Sequence, residues 1–244
     1  MRESYYIDQT GSIPENLIRA TSWMLNNAVD TSFLAIGYIG QLIEIMSPIL
    51  GENNVKEFSI KKEMRIKNII IKLITKRDIN YYANNNPLVG LYPDEDFLNQ
   101  LDSISDINKM LIVPWSMNEE FIHQWVKTWS SVTLGEQFLE DEPIFIGNNV
   151  IINALKSIRI GPKTSRILSE EEKRKCAWAF TLLLKENIEI IPEEVKSHLI
   201  RYENWKSTAA HEAYNIAKKV IEGKRVKKGK RPWRPDIIKI WKER

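Results

Sequence analysis

The chain has very few of the residues from which disulfide frameworks and zinc centres are built. It contains one cysteine, Cys176, and three histidines, His123, His198 and His211, among its 244 residues. One cysteine cannot form an internal disulfide, and no histidine is followed by a second potential ligand three or four residues later. The sequence therefore predicts no disulfide scaffold and no metal site. We expect Cys176 to be a buried, unreactive thiol.

The sequence also lacks the glycine-rich loops that bind phosphate groups. Neither G-x-G-x-x-G nor G-x-x-x-x-G-K-[ST] occurs, and no G-x-S-x-G marks a serine nucleophile. A Rossmann dinucleotide site or a P-loop NTPase is therefore not predicted. No motif defines a reaction, so no cofactor and no catalytic residue is assigned, and the sequence leaves open whether the protein is an enzyme.

Signals for secretion or membrane insertion are missing as well. The first twelve residues are polar, and the most apolar stretch, residues 31–50, is interrupted by Gln41 and Glu44 and contains Pro48. A helix spanning a bilayer would place Glu44 in hydrocarbon. We interpret residues 31–50 as a single helix buried inside the fold, and we expect a cytoplasmic protein without a membrane partner.

Short apolar runs in the first 140 residues predict a small parallel sheet. Residues 88–91 and 111–113 are apolar throughout and are separated by a helical pattern, as in parallel α/β structure with strands covered on both faces. We predict that these two runs are neighbouring parallel strands. Residues 66–75 fit both a helical stripe and a buried strand, and their β-branched side chains slightly favour the strand.

After Gly135 the hydrophobic pattern becomes helical.

Along the whole chain, three Ser/Glu pairs at capping-box spacing predict helix starts: Ser12 with Glu15, Ser116 with Glu119, and Ser169 with Glu172. We predict an α-rich α/β protein with its sheet in residues 1–140, a helical bundle in 141–222 and a basic segment in 223–244. The alternative is an all-α protein. Residues 169–202 have a helix-turn-helix outline, but the second helix has few cations, which favours plain helix packing.

A candidate cleft lies where the two predicted strands end. Parallel strands place their carboxyl ends at one edge of the sheet, where open α/β folds bind ligands. The residues that follow the two strands are Tyr92, Asp94, Trp115 and Ser116. The acids Asp94, Asp96, Glu119 and Glu120 lie nearby, and we interpret them as helix-start acids that complement a helix dipole rather than as magnesium ligands.

The strongest functional signal is the charge at the end of the sequence. Residues 223–244 hold ten Lys or Arg and two acids, a net charge of about +8, whereas the preceding 222 residues hold 25 basic and 30 acidic side chains. A local cation of this kind neutralises an anionic partner more often than it packs a core. The candidate nucleic-acid contacts are Lys224, Arg225, Lys227, Lys228, Lys230, Arg231, Trp233 and Arg234.

Three classes of function fit these patterns. The first is a nucleic-acid-associated or complex-forming protein that uses the basic segment, and it requires binding that weakens steeply with salt. The second is an enzyme of undefined reaction with a cleft near Tyr92 and Trp115, which requires a concave pocket with convergent polar groups. The third is a structural subunit that docks on an acidic protein surface and exposes an apolar patch. The oligomeric state is not defined by the sequence.

Overall fold

The computed structural model describes residues 2–8, 11–79, 83–135, 146–158 and 167–243. The chain divides into two compact units, residues 1–142 and 143–244. The first unit is α/β and the second is helical, so the predicted fold class is confirmed. None of the helices among the described residues is long and apolar enough to cross a bilayer.

The first unit is built on a seven-stranded sheet. Its elements in chain order are β1 Glu3–Tyr6, α1 Ile13–Asn27, β2 Thr31–Ile36, α2 Ile39–Leu50, α3 Glu52–Lys61, β3 Glu63–Ile66, β4 Ile69–Thr75, β5 Leu88–Leu91, α4 Glu95–Asp102, β6 Lys109–Val113, α5 Glu120–Trp129 and β7 Val132–Thr133. The strand order is β3-β4-β2-β5-β6-β1-β7, and every neighbouring pair is parallel except β3 and β4.

The predicted pairing of the two apolar runs is confirmed. Strands β5 and β6 are parallel neighbours, with Val89 opposite Leu111 and Leu91 opposite Val113. All four side chains are buried, because α1, α2 and α3 cover one face of the sheet and α4 and α5 cover the other. A strand covered on both faces has no polar side, which explains its uninterrupted apolar sequence.

Residues 66–75 form strand structure, as their β-branched composition favoured. Strand β4 occupies Ile69–Thr75 and pairs with β3 as an antiparallel hairpin, in which Met64 is opposite Ile71. Lys67 sits between the two strands with a φ of 54°. The hairpin places the single antiparallel strand at the edge of the sheet.

The prediction of one buried helix over residues 31–50 is wrong. Residues Thr31–Ile36 form the central strand β2, and the helix α2 begins only at Ile39. Strand β2 is flanked by β4 and β5 and is buried on both faces, so it carries the same apolar run that a buried helix would. Gly37 and Tyr38 separate the two elements, and Tyr38, which is still extended with a φ of −154°, is the residue immediately before the helix.

Two of the three predicted capping boxes are present and one is not. Ser12 with Glu15 starts α1, and Ser169 with Glu172 starts the first long helix of the second unit. The helix after β6 begins at Glu120 with Glu119 as its N-cap, so the box at Ser116 is wrong. The Ser116 hydroxyl instead accepts a hydrogen bond from the Asn118 backbone at 3.1 Å, which forms a local turn before the helix.

The second unit consists of helices among its described residues. They are α6 Asn149–Ser157, α7 Glu170–Lys185, α8 Pro192–Arg201, α9 Ser207–Ile221 and α10 Ile237–Glu243. Helix α9 packs against α7 and α8 through four buried alanines, which allow close approach: Ala209, Ala210, Ala213 and Ala217. Cys176 on α7 is fully buried, and its burial raises the pKa of the thiol far above the ordinary value, as expected of an unreactive cysteine.

Candidate binding surfaces

The basic segment, defined here as residues 224–234, follows a definite path along helix α7. Trp178 Nε1 on that helix donates a hydrogen bond to the Lys228 carbonyl at 3.0 Å, and the Lys228 ammonium lies 5.7 Å from the centre of the Trp178 ring. Gly229 has a φ of 59° and lies so close to Arg174 that a Cβ would be 3.2 Å from that side chain. The segment is therefore packed on the helix by its backbone.

The far end of the basic segment is anchored by tryptophans. Trp233 packs edge to face against Trp241, with ring centres 5.4 Å apart, and Trp241 is only 1% exposed. The Asn153 amide on α6 donates a hydrogen bond to the Trp241 carbonyl at 2.9 Å, which ties α10 to α6. Trp233, a candidate nucleic-acid contact in the sequence, thus also has a structural contact within the protein.

Most cations of the basic segment point to solvent. Five are exposed: Lys224, Arg225, Lys227, Lys230 and Arg234. Three of these form exposed ion pairs, with Glu222 at 2.7 Å, Glu170 at 3.5 Å and Asp236 at 2.9 Å. Exposed pairs contribute about 0–1 kcal/mol each, so they are easily exchanged for a stronger anion. Among the described residues, no partner lies within ion-pair distance of Arg225 or Lys230.

A groove beside the basic segment adds one cation, Lys185, from the end of α7. It has a volume of about 280 Å³ and is lined by Lys185, Lys224 and Lys228 over an apolar floor that includes Leu184 and Val226. None of the described residues that line it carries a carboxylate. The groove therefore offers a positive rim and an apolar base on one surface of the second unit.

The carboxyl edge of the sheet in the first unit holds the other candidate site. Adjacent strands lead to helices on opposite faces at two places, between β2 and β5 and between β6 and β1. Such switch points open crevices in which α/β proteins bind ligands. The predicted cleft residues Tyr92, Trp115 and Ser116 follow β5 and β6, between these two crevices.

An ion-pair bridge crosses the crevice between β2 and β5. Lys76, which follows β4, lies 3.1 Å from Asp94 and 2.8 Å from Asp96, which both follow β5. Burial lowers the pKa of Lys76, but the hydrogen bonds to Asp96 and Asp94 outweigh it and raise the pKa above the ordinary value. Asp94 also caps α4 by accepting from the Phe97 backbone at 2.7 Å, so the expectation of a helix-start acid is confirmed for this residue.

Tyr92 and Trp115 are brought into direct contact. Their rings stack with centres 4.3 Å apart, Trp115 is 49% exposed, and Tyr92 is 4% exposed. Tyr92 has a φ of 49°, a left-handed conformation that is uncommon for an aromatic residue. Its buried hydroxyl has no hydrogen-bond partner in the described part of the chain, and burial raises its pKa. Asp94, the fourth predicted cleft residue, pairs with Lys76 instead.

Two buried acceptors without partners among the described residues lie in the segments that follow β6 and β1. Glu119 has a buried Oε2 atom for which the described residues supply no donor. Burial raises the pKa of Glu119, and this effect is larger than that of a hydrogen bond from the Ser116 backbone, which lowers the pKa. Asn16, on α1, donates to the Gly11 carbonyl at 3.1 Å while its own buried Oδ1 is likewise unpartnered. Sequence reasoning missed Asn16, because a single asparagine in a first helical turn carries no distinguishing signal.

The comparisons with known proteins bear on the second unit. Residues 147–242 match the family model described as Domain of unknown function (DUF1889). This match covers less than half of the chain, so the helical unit is similar to that family, and the similarity assigns no activity. No curated protein and no solved structure gives a significant match to the chain.

Proposed function

We propose that the second unit binds nucleic acid through the basic segment, by contacts to phosphates and without sequence preference. The observation that carries the proposal is the fixed display of five exposed cations along a backbone that is packed on α7. Phosphate contacts supply most of the affinity in sequence-independent binding, because each one releases condensed counterions. The adjoining lysine-lined groove extends the same positive surface.

A packed basic segment is expected to bind nucleic acid more tightly than a freely moving tail with the same charges. A disordered segment loses conformational entropy when it is ordered on a partner, and this loss weakens the affinity. Here Trp178 already holds the middle of the segment at Lys228, and Trp241 holds its far end at Trp233. The side chains that point to solvent then meet phosphates with only their own rotamers to order.

The test is a fluorescence-anisotropy titration of a labelled 20-base-pair duplex at low salt. The variant replaces four exposed cations of the basic segment by glutamine: Lys224, Arg225, Lys227 and Lys230. The matched control removes three lysines and one arginine that are exposed in the first unit: Lys56, Lys61, Arg65 and Lys72. Both variants carry the same net charge, so a difference between them reports the location of the contacts.

The proposal expects the control variant to bind like the wild type and the basic-segment variant to lose at least tenfold in affinity. Equal losses in both variants would show that net charge alone matters. An unlabelled single strand and heparin serve as competitors, since a sequence-independent phosphate surface is displaced by any polyanion. No duplex binding by the wild type at low salt would contradict the proposal.

A second candidate function is small-ligand binding at the carboxyl edge of the first unit. Strain and orphaned polar groups collect at functional sites, and Tyr92 shows both, with its φ of 49° and its unpartnered hydroxyl. The half-exposed ring of Trp115 offers a stacking face. A thermal-shift screen with nucleosides and aromatic acids tests this function. A hit whose affinity is unchanged in Trp115→Ala would contradict it.

A further inference from the structure

The first unit contains an apolar cavity between α1, α2 and the sheet. Its volume is about 290 Å³, and its floor includes Leu34, Ile71 and Leu91 from three different strands. Ala20 on α1 and Met46 on α2 form opposite walls. Protein cores are normally close-packed, so an apolar volume of this size that reaches the surface has room for a ligand.

The lining of this cavity excludes a charged ligand. Among the described residues that line it there is no Asp, Glu, Lys or Arg, and their only polar side chains are those of Thr21 and Ser22. Both lie on α1 beside the exposed Ile18, with Ser22 exposed and Thr21 half-buried. The cavity is thus apolar in its depth, and its hydroxyl groups are confined to the side that reaches solvent.

We infer that this cavity binds a small uncharged molecule with an alkyl chain and one polar end, such as a medium-chain alcohol. An apolar cavity of about 150 Å³ accommodates benzene, so about 290 Å³ has room for roughly ten to twelve carbon atoms. The chain lies against Leu34, Ile71 and Leu91. The polar end lies near Thr21 and Ser22, where it is hydrated.

The experiment uses 1-decanol as the probe and the full-length chain. Isothermal calorimetry measures its affinity, and differential scanning fluorimetry measures the ligand-induced rise in Tm. Ala20→Leu adds three carbon atoms to the wall of the cavity, and it is expected to weaken decanol binding at least tenfold and to abolish the rise in Tm. Ile60→Gln alters an exposed isoleucine on α3 that does not line the cavity, and it serves as the control.

Two further measurements do not depend on whether Ala20→Leu folds. In the wild type, the affinity for 1-alkanols is expected to rise from six to about ten carbons and then to stop rising, because longer chains leave the cavity. Decanoate is expected to bind at least tenfold more weakly than decanol. The inference is overturned if decanol does not bind, if decanoate binds equally well, if affinity keeps rising beyond fourteen carbons, or if a folded Ala20→Leu variant keeps wild-type affinity.

Discussion

The buried ion pair between Arg2 and Asp102 gives the sharpest test of how the first unit is held together. The two side chains are 8% and 1% exposed and are in direct contact. Trp125 Nε1 donates to the same carboxylate oxygen at 3.1 Å, and the Arg2 guanidinium lies 4.1 Å from the centre of the Trp129 ring. The pair thereby joins the residue that precedes β1 to the end of α4 and to two tryptophans of α5.

Asp102→Asn is expected to destabilise the first unit by about 3–5 kcal/mol, because it leaves the guanidinium buried without a counter-charge. In a unit of this size the change corresponds to a fall in Tm of roughly 10–17 °C. The double variant Arg2→Met with Asp102→Leu is expected to recover most of this loss, since replacing both charges removes both desolvation penalties. The other oxygen of Asp102 lacks a partner among the described residues, so its burial adds to the desolvation penalty of the ion pair.

Urea denaturation measures the free energy of unfolding of each variant. Scanning calorimetry measures Tm and tests whether the two units unfold in separate transitions. Glu57→Gln is the control, because it breaks the exposed pair with Lys61 at 2.5 Å and is expected to cost less than about 1 kcal/mol. A loss below about 1 kcal/mol in Asp102→Asn would show that this carboxylate is solvated. A double variant no more stable than the single one would contradict the desolvation argument.

Three other outcomes are expected. Burial lowers the pKa of His198 below its ordinary value of 6.5, although Glu203 opposes this shift, so the unfolded state binds the proton more tightly than the folded state. The urea midpoint of the wild type is therefore expected to fall as the pH drops below about 6.5, and that of His198→Gln is expected to fall less. Gly135→Ala places a Cβ 1.9 Å from the Asp8 carboxylate and is expected to cost about 1–3 kcal/mol in the same assay. Trp178→Phe loses the bond to the Lys228 carbonyl, and trypsin is expected to cleave the basic segment about fivefold faster.

Local signals in the sequence predicted the fold class and the helical character of the second unit. The capping boxes at Ser12 and Ser169 identify true helix starts, because the side-chain oxygen and the backbone donors it satisfies lie within three residues. The pairing of β5 with β6 was also predictable, since one helix connects them and parallel crossovers place such strands side by side.

What sequence reasoning missed depends on distant contacts. Strand β2 is apolar because β4, β5 and two layers of helices enclose it, and no local pattern distinguishes that burial from a helix core. Strand β1 lies in a polar N-terminal stretch and exists because β6 and β7 pair with it on both sides. The stacking of Tyr92 on Trp115, and the Lys76 bridge, likewise require residues that only the sheet order brings together.

The salt dependence of duplex binding tests the proposed function most directly. Each phosphate contact contributes about −0.9 to the slope of log affinity against log salt. With five exposed cations in the basic segment, the wild type is expected to show a slope of about −3 to −4.5. The variant lacking Lys224, Arg225, Lys227 and Lys230 is expected to show about −1. Equal slopes for the two proteins, or no duplex binding by the wild type at low salt, would contradict the proposal.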